Sequence, residues 1–413
     1  MKRIFETISV VGLGYIGLPT AAMFASRKVR VIGVDVNENT VATINSGGVH
    51  IVEPDLDIAV HSAVEQGYLR ATTKPEPAQA FLIAVPTPFL EGHVPDLSYI
   101  ESAARAIAPV LARGNIVVLE STSPVGATEQ LAAWLAEERP DLTFPQTHGE
   151  DSDIRIAHCP ERVLPGKVMQ ELIHNDRVIG GLSPRCSEVA TSLYRTFVDG
   201  KCVTTDARTA EMAKLTENSF RDVNIAFANE LSLICEDLDI SVWELIELSN
   251  LHPRVNILQP GPGVGGHCIA VDPWFIIHRN REKAKIIRAA REVNDSKPKW
   301  VIEQVKDAVA AHDGPEEPVL ALYGIAFKPD IDDLRESPAV HIARELLDLG
   351  FKTLIVEPHI EALPASLSSA RMVEEAKAFE IADIHVMLVD HTRFRNSPSP
   401  TGCLIDCRGV WRT

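Results

Sequence analysis

The sequence holds no uninterrupted apolar run of about 18 residues, the length a membrane-spanning helix needs, so no transmembrane helix is expected. It has no run of lysine and arginine either. Acidic residues outnumber basic ones, 57 to 40, and the formal charge is −17. A chain of that balance repels nucleic acid and anionic membranes unless its cations cluster, which disfavours partners of both kinds. Cysteine is sparse. Seven residues, an odd number scattered along the chain, are not a disulfide framework, and a reducing cytoplasm is the simplest compartment. No second Cys/His pair with ligand spacing accompanies His267-Cys268, so no metal site is expected, and Cys403 and Cys407 read as core. A secretory signal is not expected either. Glu6 precedes the apolar stretch behind Met1-Lys2-Arg3, three glycines and Pro19 break it, and residues 29–34 continue as a strand.

What is present has the balance of a globular chain. Of 413 residues, 45% are hydrophobic and 23% charged, and the length admits two or three domains. Short apolar runs at Thr7–Val11, 29–34, 80–85, Ile116–Leu119, Arg155–His158 and 178–179 alternate with helical periodicity, as at 99–111 and 128–138. That alternation predicts an α/β domain with a parallel sheet. The same grammar returns at Val319–Tyr323, 353–356, 385–389 and Cys403–Asp406. Between these parts the chain is helix-compatible from 207 to 236, behind the capping residues Thr204-Thr205-Asp206, and again at 242–250 and 282–309. The fold expected is α/β: two Rossmann-like doubly wound domains, residues 1–203 and 312–413, joined by a central helical region, residues 204–311. Its long helix is either a spacer or a dimer interface.

Gly12-Leu13-Gly14-Tyr15-Ile16-Gly17 follows the first strand and matches G-x-G-x-x-G. Such glycines permit a tight turn, close approach to a pyrophosphate and close helix–strand packing, with helix N–H groups behind them facing the anion. Asp35 ends the next strand, 18 residues after Gly17. A carboxylate there binds ribose hydroxyls and repels a 2′-phosphate, favouring NAD over NADP, although the motif alone leaves FAD open. Val85-Pro86-Thr87-Pro88 and Glu120-Ser121-Thr122-Ser123-Pro124 follow two further strands, where open α/β sheets bind ligands. Thr87 and Thr122 are therefore candidate cofactor contacts, though the loops serve equally well as helix caps.

Lys214, Asn218 and Arg221 stand at i, i+4 and i+7 of the long helix and share one face. A lysine, an amide and an arginine in a stripe suit an oxyanion or a polarised hydroxyl; the alternative is a solvated charged face. The segment Gly261-Pro262-Gly263-Val264-Gly265-Gly266-His267-Cys268-Ile269-Ala270-Val271-Asp272-Pro273 is the most informative. Its glycines let backbone approach a ligand, and Cys268 emerges directly behind them. An isolated cysteine is usually core, but glycines, a histidine and an aspartate are poor core material, and a thiolate is a strong nucleophile. Glu161 and Arg162, His252 and Arg254, and Lys328 and Arg335 are further candidates. Singly each is an ordinary surface charge; together they would form a local cationic site in an acidic protein.

A nicotinamide-binding domain supplies a hydride acceptor. Interconverting an alcohol and a carbonyl needs no nucleophile, whereas an activated cysteine permits a second oxidation. The thiolate attacks an aldehyde, the thiohemiacetal gives up hydride to become a thioester, and water releases an acid. The constellation thus suggests oxidation of CH₂OH to carboxylate with two NAD. Rival readings are a two-electron hydroxyacid dehydrogenase in which Cys268 is incidental, and a nucleotide-sensing protein without turnover.

The glycine signature, S-T-S-P-V-G, C-P-E-R, K-L-T-E-N-S-F-R-D-V-N, G-P-G-V-G-G-H-C-I-A-V-D-P and A-F-K-P-D-I-D-D-L-R-E-S-P together resemble, in that order and over nearly the whole chain, the UDP-glucose/GDP-mannose dehydrogenase family. Within it, G-G-H-C-I-A-V-D-P is most similar to the bacterial members that act on UDP-N-acetyl-D-mannosamine; UDP-N-acetylglucosamine and UDP-glucose are the alternatives. The resemblance implies a cofactor-binding first domain, a UDP-binding last domain, and a homodimer formed through the central helices. It makes Cys268 the nucleophile and Lys214 the acid/base or oxyanion group. Asn218 and Asp272 would hold the water and proton network, with Glu161 a candidate base for thioester hydrolysis. It places Gly12, Gly14, Tyr15, Ile16, Gly17, Asp35, Thr87, Thr122 and Arg335 at NAD. Arg162, Val163, Lys214, Asn218, Arg221, His252, Arg254, Gly265 and Lys328 would contact the sugar nucleotide. The implied product is a uronate used for surface polysaccharide such as enterobacterial common antigen.

Overall fold

Short β-branched runs become strands, and the amphipathic stretches between them cover the resulting sheet. The computed structural model describes residues 5–164, 166–266 and 268–411; His267 lies outside them. The chain divides into two compact units, Met1–Thr216 and Glu217–Thr413. The first contains β1 (Thr7–Val11), α1 (Gly17–Ser26), β2 (Arg30–Val34), α2 (Glu38–Asn45), α3 (Leu56–Glu65), β3 (Leu69–Thr72) and β4 (Ala80–Ile83). A small hairpin of β5 (Phe89–Leu90) and β6 (Val94–Pro95) precedes α4 (Ser98–Ile107), β7 (Ile116–Leu119), α5 (Ala127–Glu138), α6 (Pro145–His148) and β8 (Arg155–His158). Then come α7 (Val168–His174), β9 (Arg177–Gly181), α8 (Pro184–Tyr194) and β10 (Cys202–Asp206).

The sheet order is β10-β9-β8-β7-β4-β1-β2-β3. Six strands, β3 to β8 in that order, are mutually parallel, while β9 pairs antiparallel with β8 and carries β10 parallel to itself. The parallel sheet expected from the sequence therefore ends in two reversed strands. The strand order reverses between β1 and β4, and that switch point is where a doubly wound sheet binds its ligand. α1, α3, α7 and α8 bury Leu18, Phe24, Val60, Leu172 and Leu193 against one face, and α4 and α5 bury Ile100, Ile107, Leu131 and Leu135 against the other.

The unit boundary falls within α9 (Ala207–Asp237). Asp206, the last residue of β10, accepts the N–H of Thr209 at 2.9 Å and caps the helix. The second unit continues with α10 (Val242–Ser249), α11 (Asp272–Arg279), α12 (Lys285–Ala310), β11 (Val319–Tyr323), α13 (Pro338–Asp348), β12 (Lys352–Val356), β13 (Arg371–Met372), α14 (Glu375–Ile381), β14 (Ile384–Met387), α15 (Thr392–Arg395) and β15 (Cys403–Asp406). Its five strands, ordered β13-β12-β11-β14-β15, are all parallel and repeat the doubly wound pattern, with their own switch point between β11 and β14. α12 and α13 cover one face through Val301, Val305, Ile342 and Leu346.

A buried polar ladder joins α9 to α12. Arg291 Nη1 pairs with Asp222 Oδ1 at 2.7 Å, and Asn294 Nδ2 donates to Asp222 Oδ1 at 2.8 Å. Asn229 Nδ2 donates to Asn294 Oδ1 at 2.8 Å, and Asn229 Oδ1 accepts the N–H of Gly261. The ladder is satisfied at Asn229 and Asn294 but leaves Asp222 Oδ2 and Arg291 Nε buried without a partner among the described residues, and it ends on the loop that carries Cys268. All seven cysteines are free, and among the described residues no helix is long and apolar enough to cross a membrane.

Candidate active site

Each unit presents one set of candidate residues. In the first, Gly12 has φ +89°, and a Cβ there would lie 2.5 Å from the Ala84 carbonyl oxygen, so only glycine makes this turn beside the exit of β4. A Cβ at Gly17 would fall 1.8 Å from the Gly12 oxygen, whereas one at Gly14 would meet nothing within 4 Å. The turn is thus closed by its outer glycines and open at the middle one. Ile16 precedes α1 with no side-chain cap; the Leu18 N–H is taken by the Gly14 carbonyl at 3.1 Å and Pro19 has none, so an anion would meet the N–H groups at the very start of the helix. Two neighbouring helices are closed instead. Glu211 accepts the N–H groups of Gly126 and Thr128 and the Thr128 hydroxyl at the start of α5, and Glu53 accepts those of Gly166 and Val168 at the start of α7. Only α1 of these three can take a pyrophosphate.

Asp35 is half-buried, its Oδ2 accepting the Leu13 N–H at 3.0 Å and its Oδ1 that of Asn37 at 2.9 Å. The carboxylate therefore sits against the glycine turn. Thr87 Oγ1 is buried without a hydrogen-bond partner among the described residues, a hydroxyl left for a ligand. Ser121 Oγ donates to the Val85 carbonyl at 2.7 Å and ties the Thr87 loop to the Thr122 loop. The open turn, the uncapped helix, the ribose-side carboxylate and the orphan hydroxyl together fit NAD. Tyr15 and Thr122 are half-buried beside them.

Glu161 is buried, pairing with Arg177 at 2.8 Å and accepting the Arg162 N–H at 2.7 Å. Arg177 lies over the Tyr194 ring, and the Tyr194 hydroxyl donates to Glu120 Oε1 at 2.6 Å. Burial, with Glu161 close by, pushes the Glu120 carboxyl up to about 7. Glu120, Ser121, Arg177 and Tyr194 were not among the sequence-derived candidates; only the E-S-T-S run hinted at the first two. Arg162 and Val163 are half-buried, the Arg162 carbonyl accepting Asn175 Nδ2 at 3.0 Å. Lys214 is half-buried on α9.

In the second unit Asn218 and Asp272, 54 residues apart, meet: Asn218 Nδ2 donates to Asp272 Oδ2, both side chains being buried. Asp272 opens α11, and its N–H and that of Val271 close back on the Cys268 carbonyl, so Cys268 is held at the N-terminal end of that helix and is half-buried. Arg221, on the same helix face as Asn218, is exposed. His252 and Arg254 are exposed on the loop after α10, the Arg254 N–H reaching His252 Nδ1 at 3.3 Å.

The glycines before Cys268 have a packing role that was not read from sequence. A Cβ at Gly265 would lie 2.5 Å from the Glu336 carbonyl oxygen and 2.7 Å from Pro338, one at Gly266 3.0 Å from the Phe327 ring, and one at Gly263 3.0 Å from Pro338. The space a side chain would take is filled by residues 327, 336 and 338, so these positions take no Cβ without a shift. Gly265 thereby packs against the loop that carries Lys328, which is half-buried, and Arg335, which is exposed and pairs with Asp333 at 2.6 Å.

Residues 6–198 match the NAD binding domain of the UDP-glucose/GDP-mannose dehydrogenase family, 208–296 its central domain and 321–413 its UDP binding domain. The chain belongs to this family. It is an NAD-dependent nucleotide-sugar dehydrogenase. It is 63% identical to an NDP-N-acetyl-D-galactosaminuronic acid dehydrogenase of Ralstonia nicotianae, over 98% of this chain and 96% of that one. It is 62% identical to the UDP-N-acetyl-D-mannosamine dehydrogenase of Escherichia coli K12, over 99% of this chain and 100% of that one. Among solved structures, a UDP-D-ManNAc dehydrogenase from Pyrococcus horikoshii superposes with a TM-score of 0.88 at 39% identity, covering 98% of this chain and 96% of that one.

Proposed function

We propose that this enzyme oxidises C6 of UDP-N-acetyl-D-mannosamine to the carboxylate of UDP-N-acetyl-D-mannosaminuronate through a thiohemiacetal and a thioester on Cys268. The observation that carries this reading is the placement of Cys268 at the start of α11, four residues before a buried Asp272 that Asn218 holds by its amide. Negative charge is favoured at that end of a helix, which suits an attacking sulfur. NAD, when bound, would supply the hydride acceptor, one NAD for each of the two oxidations. The chain's own part is to hold the C6 carbon against sulfur, to take the alcohol proton, and to orient water for thioester hydrolysis. Asp272 accepts from Asn218 through Oδ2 and holds a water or proton beside Cys268. Lys214 serves as the acid/base or oxyanion group. Glu161, with its carboxylate held by Arg177, is the candidate base for hydrolysis and acts from a fixed position. Arg162, Val163, Arg221, His252, Arg254, Gly265 and Lys328 are assigned to the nucleotide sugar. Gly12, Gly14, Tyr15, Ile16, Gly17, Asp35, Thr87, Thr122 and Arg335 are assigned to NAD.

The relatives agree on an N-acetylated amino sugar and differ in which one. Mannosamine is favoured here because relatives of that name are matched over their whole length, and solved structures of that name are 39% and 40% identical to this chain. An assay with UDP-N-acetylmannosamine, UDP-N-acetylgalactosamine, UDP-N-acetylglucosamine and UDP-glucose tests it. Two NADH per sugar and a rate highest with the first are expected. A higher rate with UDP-N-acetylgalactosamine would reassign the sugar, while one NADH with released aldehyde would defeat the thioester route. Cys268→Ser should stop acid formation, and undiminished turnover would remove Cys268 from its role.

A homodimer through α9 is supported by its exposed apolar residues. Phe220, Phe227 and Ile234 recur every seven residues with Leu238 four further on, a seam at coiled-coil spacing left bare in the single chain. A cytoplasmic location is supported by the free cysteines. The three matched segments support the division at residues 1–203, 204–311 and 312–413.

A further inference from the structure

At the switch point of the second sheet three strand exits converge: the loop 324–337 after β11, Glu357 after β12, and His391 after β14. Glu357 Oε2 accepts the N–H of Ile325 at 2.8 Å and that of Ala326 at 3.2 Å, and lies 3.1 Å from His391 Nε2. His391 Nδ1 accepts the N–H of Asp330 at 2.9 Å. Because Nδ1 is an acceptor, the ring proton sits on Nε2 and is donated to Glu357. The histidine is therefore a neutral bridge from a carboxylate to the backbone at Asp330, with its side chain fully buried. Asp330 itself has φ +60°, a conformation that a residue with a Cβ rarely adopts unless its surroundings hold it there. Ser337 Oγ closes the far end of the loop on the Ile325 carbonyl at 2.7 Å.

Asp330, His359 and His391 approach within 4.8 Å of one another and carry metal-ligating groups. The hydrogen bonds argue against that use. The Nδ1 lone pair of His391 is taken by a backbone N–H, and the Asp330 oxygens accept the Thr392 N–H at 2.9 Å and hydroxyl at 2.6 Å. The same loop carries Lys328, and its Phe327 fills the hollows at Gly265 and Gly266, directly before Cys268.

We propose that Glu357 and His391 are positioning residues for the nucleotide-sugar site, holding the loop 324–337 in the conformation that presents Lys328 to the nucleotide and seats Phe327 under the Cys268 loop. Neither residue touches substrate. The proposal rests on the assignment of Lys328 to the nucleotide sugar, and the experiment separates the two.

UDP binding to the full-length enzyme is measured by titration calorimetry, alongside KM and kcat for the nucleotide sugar. His391→Ala removes both bonds and should raise the UDP Kd and the sugar KM about tenfold, the effect of losing a buried hydrogen bond or two, with a smaller change in kcat. His391→Asn keeps an acceptor near Nδ1, and His391→Gln keeps a donor near Nε2; each should restore part of the affinity. If His391 acts through Lys328, the double variant His391→Ala/Lys328→Met binds UDP no more weakly than Lys328→Met alone. Full additivity of the two losses would overturn the proposal. So would wild-type UDP affinity in His391→Ala when Lys328→Met is weakened. Unchanged affinity in Lys328→Met would instead overturn the assignment of Lys328. Should His391→Ala fail to fold, Glu357→Gln, which keeps an acceptor for the backbone N–H groups, is expected to weaken UDP by a few-fold, and wild-type affinity there would overturn the proposal. UDP affinity that falls with a chelator and returns with zinc would overturn it in favour of a metal site.

Discussion

The residue scale separates groups that contact ligand from groups that hold them. Asp35 is proposed for the first class: its carboxylate braces the glycine turn by accepting the Leu13 N–H, and a ribose contact is assigned to it. Asp35→Ala should cut the preference for NAD over NADP at least about tenfold, the scale of a lost charged hydrogen bond, as read from kcat/KM with each nucleotide; unchanged preference would remove the ribose contact. Glu120 belongs to the second class. Its carboxyl is raised to about 7 by burial and by Glu161, so between about 4.5 and 7 the folded state binds more protons than the unfolded one. Stability associated with this group is therefore present below the unfolded value and lost as pH rises through about 7. Glu120→Gln should lift the melting temperature more at pH 8 than at pH 5, and an equal effect at both would show that Glu120 does not titrate there. The glycine turn, Asp35, Cys268 and the Lys214–Asn218–Arg221 stripe could be proposed from sequence because residue type and local spacing suggest their chemistry. Arg177 and Tyr194 were not, since their roles come from meeting Glu161 and Glu120 across 16 and 74 residues of chain.

Among elements, helices and central strands were read nearly to the residue, because periodicity marks them. Of the edge strands β15 was read, whereas β3, which carries an exposed arginine, β10, which is largely exposed, and the two-residue β13 were missed, since none of these forms an apolar run. The glycine-rich loop was found by sequence but its packing against residues 327, 336 and 338 was not, since a glycine that makes room for a neighbouring loop cannot be recognised until that loop is seen. Gly265→Ala tests the structural role. Its methyl group would sit 2.5 Å from a carbonyl oxygen, and backbone cannot yield as a flexible side chain can. The loop must shift, and an overpacking cost of about 1–3 kcal/mol is expected together with a loss of kcat. Wild-type kcat and stability would show that the contact with residues 336–338 is dispensable. Glu211→Ala probes another junction. It removes the acceptor of the Gly126 and Thr128 N–H groups and of the Thr128 hydroxyl at the start of α5, and should destabilise by about 2–4 kcal/mol in denaturant titration.

For the whole molecule, a net charge of −17 gives no long-range pull on ligands that are themselves anionic, so affinity has to come from local donors: the open start of α1 and the cations on α9 and on the loop after β11. The same charge opposes self-association, and a dimer must overcome it by burying apolar surface. α9 offers that surface at residues 220, 227 and 234, continued by Leu238 just past its end, with Phe220 67% and Phe227 52% exposed in the single chain. Burying a phenylalanine contributes about 1.5–3 kcal/mol, and in a two-fold dimer each residue of the seam counts twice. Phe227→Glu removes that gain from both copies and sets two carboxylates near each other in a chain already strongly acidic. It should convert the dimer to a monomer at micromolar concentration in sedimentation velocity, while leaving NAD binding to the first unit intact. A Phe227→Glu protein that sediments as the wild type does would move the interface off this helix, and a wild type that is itself monomeric would leave the bare seam to another partner.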